Sequence, residues 1–239
     1  MAVKVLVVDV GGNNVKLLVS GRREVRKLPS GRRLTPGRMV AAIKRATADW
    51  SYRAVAIGYP GPVRQGRIAA EPMNLGRGWA RYDFRRAFGR PVRIINDAVM
   101  QALGSYAGGR LLFLGLGTGL GAALVLEGLP HPLEIAHLPY RSGKTYEDFL
   151  GKRGLDRAGK KSWRRLVFEI VPRLQAAFQA DEVVLGGGNS KLLRTLPRGC
   201  RRGDNRNAFA GGFRLFRDPE ATRHRSASRT ATRARRRRR

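Results

Sequence analysis

Acidic residues are scarce in this 239-residue chain: 17 Asp and Glu stand against 48 Lys and Arg, and the formal net charge is +31. Cysteine is scarcer still. Cys200 is the single one, which excludes an internal disulfide and a cysteine-based zinc cluster. With no cysteines beside them, His131 and His137 do not suggest a zinc site either. Long apolar runs are also missing. The longest candidates, residues 3–10 and 111–126, are too short or too glycine-rich for the roughly 20 residues of a spanning helix. The first residues run straight into a strand-like segment, without the layout of a signal peptide. These absences predict a soluble cytoplasmic protein with no membrane partner.

Hydrophobic residues make up 42% of the chain, enough for an ordinary core, and the length suits one large domain or two modest ones. The positive charge is spread along the chain. Residues 217–239 hold ten Arg against two acidic residues, which leaves +23 on residues 1–216. A field of this sign attracts polyanions such as nucleic acid, polyphosphate or an anionic surface. Solvated surface arginines account for the same number without any partner. Beyond residue 217 there is no apolar periodicity and the chain ends in five arginines, so residues 217–239 are predicted to be a disordered tail.

Along the body, β-branched residues at 3–10 predict a buried strand, closed by the tight turn Gly11-Gly12. Residues 14–20 read as its hairpin partner. Apolar residues at Met39, Val40, Ile43 and Ala46 predict a helix over 36–50. Residues 54–58 and 91–95 read as buried strands, the second running into Asn96-Asp97 and a helix to about Tyr106. A second hairpin is predicted from 111–115 and 121–126, around a glycine-rich loop. A helix over 162–180, bent at Pro172, precedes a last strand at 183–185 and helical signals at 189–194. Each half thus begins strand, glycine turn, strand. That weak duplication predicts two α/β lobes with a cleft between them, divided near Asp97: residues 1–97 and 98–216.

Several of these segments resemble a known family. Asp9-Val10-Gly11-Gly12-Asn13-Asn14-Val15-Lys16 resembles the first phosphate motif of the ROK sugar kinases, within the actin and hexokinase superfamily. Leu114-Gly115-Leu116-Gly117-Thr118-Gly119-Leu120-Gly121 resembles their second phosphate loop. Asn96-Asp97 resembles the catalytic pair, Glu134-Ile135-Ala136-His137 the sugar-binding element, and Val183-Val184-Leu185-Gly186-Gly187-Gly188 the nucleotide-side glycine turn. Asn74-Leu75-Gly76-Arg77-Gly78-Trp79 resembles a segment of the sugar lobe. The motifs stand in the family's order over residues 3–216. Within the family the likeness leans to the short polyphosphate glucokinases, which also lack the Cys-rich zinc element. Lys144-Thr145-Tyr146-Glu147-Asp148-Phe149 holds that place here. Asn13 departs from the Thr usual in the first motif, and the Arg-rich tail has no counterpart.

The resemblance implies a two-lobed actin/hexokinase-like (ribonuclease H-like) fold and transfer of a phosphoryl group to glucose or another hexose, with Mg2+ and with polyphosphate, ATP or both as donor. It also favours a homodimer. Glycine turns suit the chemistry because bare backbone N–H groups approach phosphate oxygens closely. Gly11, Gly12, Asn13 and Lys16 from one lobe, and Gly117, Thr118 and Gly119 from the other, are the expected phosphate contacts; plain hairpin turns are the structural alternative. Asp97 is the expected general base, taking the proton of a sugar hydroxyl, although an acid opening a helix also serves as a cap. Asp9 is expected to help hold Mg2+, through water or directly, or simply to shape its turn. Asn74, Asn96, Glu134, His137 and Glu147 are the implied hydroxyl ligands. Trp79 either packs near the sugar or belongs to the core. Gly187 and Gly188, after Gly186, lie under an adenine if ATP is used and otherwise serve packing. The competing reading is a non-catalytic protein on the same scaffold that senses sugar or binds polyanions, nucleic acid included. Repressors of the family carry an added N-terminal helix-turn-helix that this sequence does not show, so sequence-specific nucleic-acid binding is not expected.

Overall fold

The structure, a computed structural model, describes residues 3–204 and 206–216, so the tail expected at 217–239 lies outside the described residues. Two compact units divide after Met100, and residues 208–216 return to the first. In that first unit, β1 (Val5–Val10), β2 (Asn14–Val19), β3 (Arg26–Pro29) and β4 (Ala54–Tyr59) share a five-stranded sheet with β7 (Val92–Asn96), in the order β3-β2-β1-β4-β7. The first three strands form an antiparallel meander, whereas β4 and β7 run parallel to β1. Between them lie helix α1 (Pro36–Ala46), the small hairpin of β5 (Val63–Arg64) and β6 (Arg67–Ile68), and the short helix α2 (Phe84–Phe88). Helix α3 (Asp97–Ser105) follows β7 without a loop.

The burial pattern explains these elements. Strand β1 is buried at every position, as a central strand covered on both faces must be. Strand β2 buries only Val15, Leu17 and Val19, the period-two signature of a strand with one dry face. Helix α1 is capped by Thr35, whose hydroxyl accepts from the Arg38 amide, and starts with Pro36. It buries Met39, Val40 and Ile43 on the sheet and stops at Ala46, earlier than the apolar pattern suggested. On the opposite face, Val5, Val7, Ala54, Ala56 and Met100 pack with Ala208 and Phe209 of α6 (Asn207–Arg214). Residues 208–216, read from sequence as part of the second half, therefore complete the first unit's core.

The second unit repeats the plan. Strands β8 (Arg110–Leu116), β9 (Leu120–Leu126) and β10 (Leu129–Leu133) form its meander. The pair β11 (Pro139–Arg141) and β12 (Lys144–Thr145) is a side hairpin. Helices α4 (Tyr146–Leu150) and α5 (Lys152–Ala177) precede β13 (Glu182–Gly186) and β14 (Cys200–Arg202), which pair parallel, and the sheet order is β10-β9-β8-β13-β14. Third, second, first, fourth and fifth strand is the order in both sheets, so the duplication read from the glycine turns extends to topology. Helix α5 starts ten residues before the expected position. Its one stretch of non-helical backbone is at Gly159 (φ 72°, ψ 162°), whereas Pro172 stays within the helix. Trp163, Val167, Ile170, Val171 and Leu174 line its buried face. Residues 188–192 form a short 3-10 turn in place of the expected helix. No described helix is long and apolar enough to cross a membrane.

Candidate functional site

The first unit gathers its candidate residues at the carboxyl ends of β1, β4 and β7, where ligands of parallel sheets are usually bound. Register does most of this. Asp9 stands opposite Lys16 across the β1–β2 hairpin and beside Gly58 of β4. The Lys16 ammonium donates to Asp9 Oδ2 at 3.2 Å, so a cross-strand pair holds the acid whose strand partner is a glycine. A side chain on Gly58 would collide with the Met100 thioether, and its Cβ would lie 3.6 Å from the Asp97 Cα. Bare backbone at Gly58 thus lets the first turn of α3 settle close to β4, with Asp9 on the neighbouring strand.

Asp9 is 8% exposed. Burial raises its carboxyl above the usual range, while the charge and hydrogen bond of Lys16 pull it back. Burial also pushes the Asp97 carboxyl up, to about 7, and the nearby negative charge of Asp9 adds to the rise. Hydrogen bonding works the other way, since Asp97 Oδ1 accepts from the Ala98 amide at 2.8 Å. Two coupled acids, one of them tuned to neutrality, are the strongest electrostatic feature of this unit. Asn96 has a different occupation. Its Oδ1 accepts from the amides of Ala98 (2.9 Å) and Val99 (3.2 Å), and its Nδ2 donates to the Gly61 carbonyl at 3.1 Å. The capping alternative for this pair is realised mainly by Asn96, which frees Asp97 from that duty and leaves Asn96 little capacity for a sugar hydroxyl.

The turn between β1 and β2 is closed by the Gly11 amide donating to the Asn14 carbonyl at 3.0 Å. The amides of Gly12 and Asn13 donate to no described residue, which suits an anion-facing turn. A Cβ on Gly12 would sit 3.7 Å from the Asn74 Cβ, so Asn74 stands beside this turn. Trp79 is fully buried between Tyr59 and Phe84, at ring separations of 5.6 and 6.1 Å; it belongs to the core.

In the second unit, Gly117–Gly119 link β8 to β9. The Gly117 amide donates to the Gly119 carbonyl at 3.1 Å, whereas the amides of Thr118 and Gly119 find no described acceptor. Three supports hold this loop. Asn189 Nδ2 donates to the Gly117 carbonyl (3.0 Å), the Lys152 amide to the Thr118 carbonyl (3.2 Å), and the Leu120 amide to Glu147 Oε2 (3.0 Å). Glu147 presses so closely on the loop that a Cβ on Gly119 would strike its carboxylate. Helix α4 aims it there through a capping box, in which Thr145 and Asp148 exchange bonds. The carboxylate expected to bind a sugar hydroxyl therefore braces the glycine loop. Replacing Glu147 by Ala should speed exchange of the Leu120 amide by about tenfold or more, since a hydrogen bond to a charged group contributes about 1.5–3 kcal/mol. Hydrogen exchange resolved at Leu120 checks it, with the Val125 amide in mid-strand as reference.

Glu134 precedes and His137 ends a 3-10 turn, Ile135–His137, whose Ile135 and Ala136 are buried; the side chains of Glu134 and His137 are exposed and bond no described residue. Gly187 adopts φ 78°, and a Cβ there would run into the Leu116 carbonyl at the end of β8. Gly186 packs equally tightly on Phe113, while Gly188 faces open space. Of that glycine turn, only Gly188 is open towards a ligand. Gly58, Asn189 and the bracing role of Glu147 escaped the sequence reading. Gly58 sits in an otherwise ordinary strand, and the other two lie 72 and 27 residues from the groups they hold. Among the described residues no group of three or more His, Cys, Asp and Glu converges on a metal position.

The fold recurs in solved structures. An inorganic polyphosphate/ATP-glucomannokinase from Arthrobacter sp. strain KM superposes with a TM-score of 0.75 at 22% identity, covering 90% of this chain and 98% of that one. A ROK family glucokinase from Streptomyces griseus, in complex with glucose and AMPPNP, gives 0.73 at 18%, covering 89% and 99%. A ROK family transcriptional regulator, described as a homologue of the E. coli MLC protein, gives 0.67 at 14%, covering 92% and 78%. No curated protein matches the chain. These likenesses establish the actin/hexokinase-like fold. The model of the ROK family matches residues 5–132, more than half of the sequence, and the chain belongs to the ROK family.

Proposed function

We propose that this chain phosphorylates a hexose, converting glucose to glucose 6-phosphate with inorganic polyphosphate, ATP or both as donor. The observation that carries the reading is Asp97. Its carboxyl, held near neutrality by burial and by Asp9, is suited to take a proton from a hydroxyl at physiological pH. In the reaction, the primary hydroxyl oxygen of the sugar bonds to the terminal phosphorus and the bond to the bridging oxygen breaks. The hydroxyl proton passes to Asp97, and the leaving phosphate keeps the electron pair. The first unit offers the free amides of Gly12 and Asn13 to the phosphates, and Asn74 to a sugar hydroxyl. The second unit offers the amides of Thr118 and Gly119, and the unspent side chains of Glu134 and His137. Asp9 has one carboxylate oxygen bonded to Lys16 and the other without a described partner. That donor set fits Mg2+, which takes one or two carboxylates and completes its shell with water and substrate phosphates. Held by Asp9, Mg2+ would neutralise charge on the phosphoryl oxygens.

The basic body supports polyphosphate as a donor, because a row of phosphates without a base is recognised mainly by charge. The likeness to a polyphosphate/ATP-glucomannokinase points the same way. A homodimer in the cytoplasm belongs to the same proposal. The likeness to a transcriptional regulator favours a second reading, a sugar-responsive binder without catalysis. Such a binder has no use for a carboxylate tuned to neutrality. Assaying glucose phosphorylation with Mg2+, with ATP and long-chain polyphosphate as parallel donors, separates the two. Turnover with either donor is expected; none with either, across several hexoses, leaves the binder.

A further inference from the structure

The first unit contains a cavity of about 760 Å³ that uses none of the candidate-site residues. It opens between the β5–β6 turn, the loop entering α2, and β7, the edge strand of the sheet. Its charged lining is one-sided: Arg67, Arg81, Arg85 and Arg93 against Asp83. The aspartate is already engaged, since its Oδ1 accepts from the Arg86 amide and caps α2. Arg93 donates to the Leu215 carbonyl and lies over the Phe216 ring. The guanidinium groups of Arg67, Arg81 and Arg85 make no ion pair or hydrogen bond among the described residues. Trp79 contributes to the wall, and its buried indole N–H has no acceptor among the described residues.

This wall is fixed rather than loose. Glu71 accepts from three successive amides, Gly78 (2.9 Å), Trp79 (3.2 Å) and Ala80 (3.1 Å), and so pins the loop that carries Arg81. Trp79 is clamped between aromatic rings beneath it. The cavity therefore presents several unspent donors, and the carboxylate of Asp83, half engaged through Oδ1, is the one acidic group against four arginines in its lining. Three guanidinium groups lining one opening concentrate positive charge there, and a multiply charged oxyanion complements it. Planar guanidinium forks match phosphate oxygens in paired hydrogen bonds.

We propose that this cavity is an accessory site for a phosphate-bearing anion, a condensed phosphate chain or a phosphorylated metabolite, separate from the phosphate turns. The site stands whether or not the chain phosphorylates sugars. Its test is direct binding to the full chain by calorimetry at low salt, without glucose, using inorganic tripolyphosphate. Arg67→Gln/Arg81→Gln/Arg85→Gln is compared with a control that removes three exposed arginines elsewhere, Arg23→Gln/Arg53→Gln/Arg198→Gln. Both variants lose the same charge. The expected result is one tripolyphosphate-binding event weakened at least tenfold in the cavity variant and less than threefold in the control. The salt dependence of that event should also flatten by about two in log–log slope, as three phosphate contacts disappear. Titrations with orthophosphate and glucose 6-phosphate distinguish the sources. A condensed-phosphate site prefers tripolyphosphate by tenfold or more, whereas a monoester site ranks glucose 6-phosphate first. No binding in the unsubstituted chain, or equal weakening in both variants, overturns the proposal. Melting curves of both variants, expected within a few degrees of the unsubstituted chain because the arginines are exposed, show that any loss is not unfolding.

Discussion

Asp97→Asn should lower turnover of glucose by about 10²–10⁴-fold while leaving sugar binding within a few-fold of normal. Asparagine keeps the shape and the bond to the Ala98 amide but accepts no proton. Under the proposed reading, the unsubstituted chain should show a kcat/KM that rises with pH, about tenfold per pH unit, and levels above a midpoint near 7, where the base is ionised. The same group leaves a signature in stability that does not depend on any substrate. Its folded carboxyl titrates near 7, against an ordinary value of 3.8. Between those values the unfolded chain has lost a proton that the folded chain retains, so this group's contribution to stability is fully present below pH 4 and is lost as pH rises to 7. This group alone should remove on the order of 3–4 kcal/mol over that window. Asp97→Asn should abolish that slope and be the more stable protein at pH 8. Urea titrations at pH 5 and pH 8 measure it. A variant with the unsubstituted pH slope, or with near-normal turnover, removes Asp97 from the role of base.

Gly187→Ala should be among the most damaging single methyl groups in the second unit. The residue sits at φ 78°, where an L side chain is strained by about 1–2 kcal/mol. The new Cβ would also meet the Leu116 carbonyl, which is backbone and cannot rotate away. Relief requires β13 to move from β8, and that shift reaches the loop after Leu116 that Asn189 secures through Gly117. A loss of about 3 kcal/mol or more in unfolding free energy is expected, read as a lower denaturant midpoint, and under the proposed function the phosphate donor should be used less well. Gly188→Ala is the matched control, because a Cβ there meets nothing within 4 Å. Equal stability of the two variants would contradict the close approach.

Much of this arrangement is legible in the sequence because it is local. The glycine turns, the strands before them and the Asn96-Asp97 junction each occupy a few consecutive residues, and hydrophobic alternation marks the strands on either side. What is not legible is mostly assigned at a distance. Glu147 and Asn189 bear on the second loop through contacts 27 and 72 residues apart. The third strand of each meander, β3 and β10, leaves no clear mark in the sequence, because both lie mostly outside the core. Strand β3 alternates between half-buried and exposed residues, and β10 carries Pro130 and Pro132. The start of helix α5 is not legible because its first turns are rich in Lys, Arg and Gly and bury little beyond Gly154. The neutral-range titration of Asp97 is likewise invisible in composition. It arises first from burial and then from the charge of Asp9 on β1, beyond the intervening strand.

The return of residues 208–216 to the first unit has a consequence for synthesis. Translation delivers β1 first, yet the apolar face of Val5, Val7, Ala54 and Ala56 finds its cover, Ala208 and Phe209, only some 150 residues after β4. Residues 101–207 are contiguous and can acquire their own core while that face still waits. A nascent chain halted before Ala208 would thus hold one finished half and one sticky half. Chaperone capture or aggregation of such arrested chains should fall sharply once Phe209 has cleared the ribosomal tunnel.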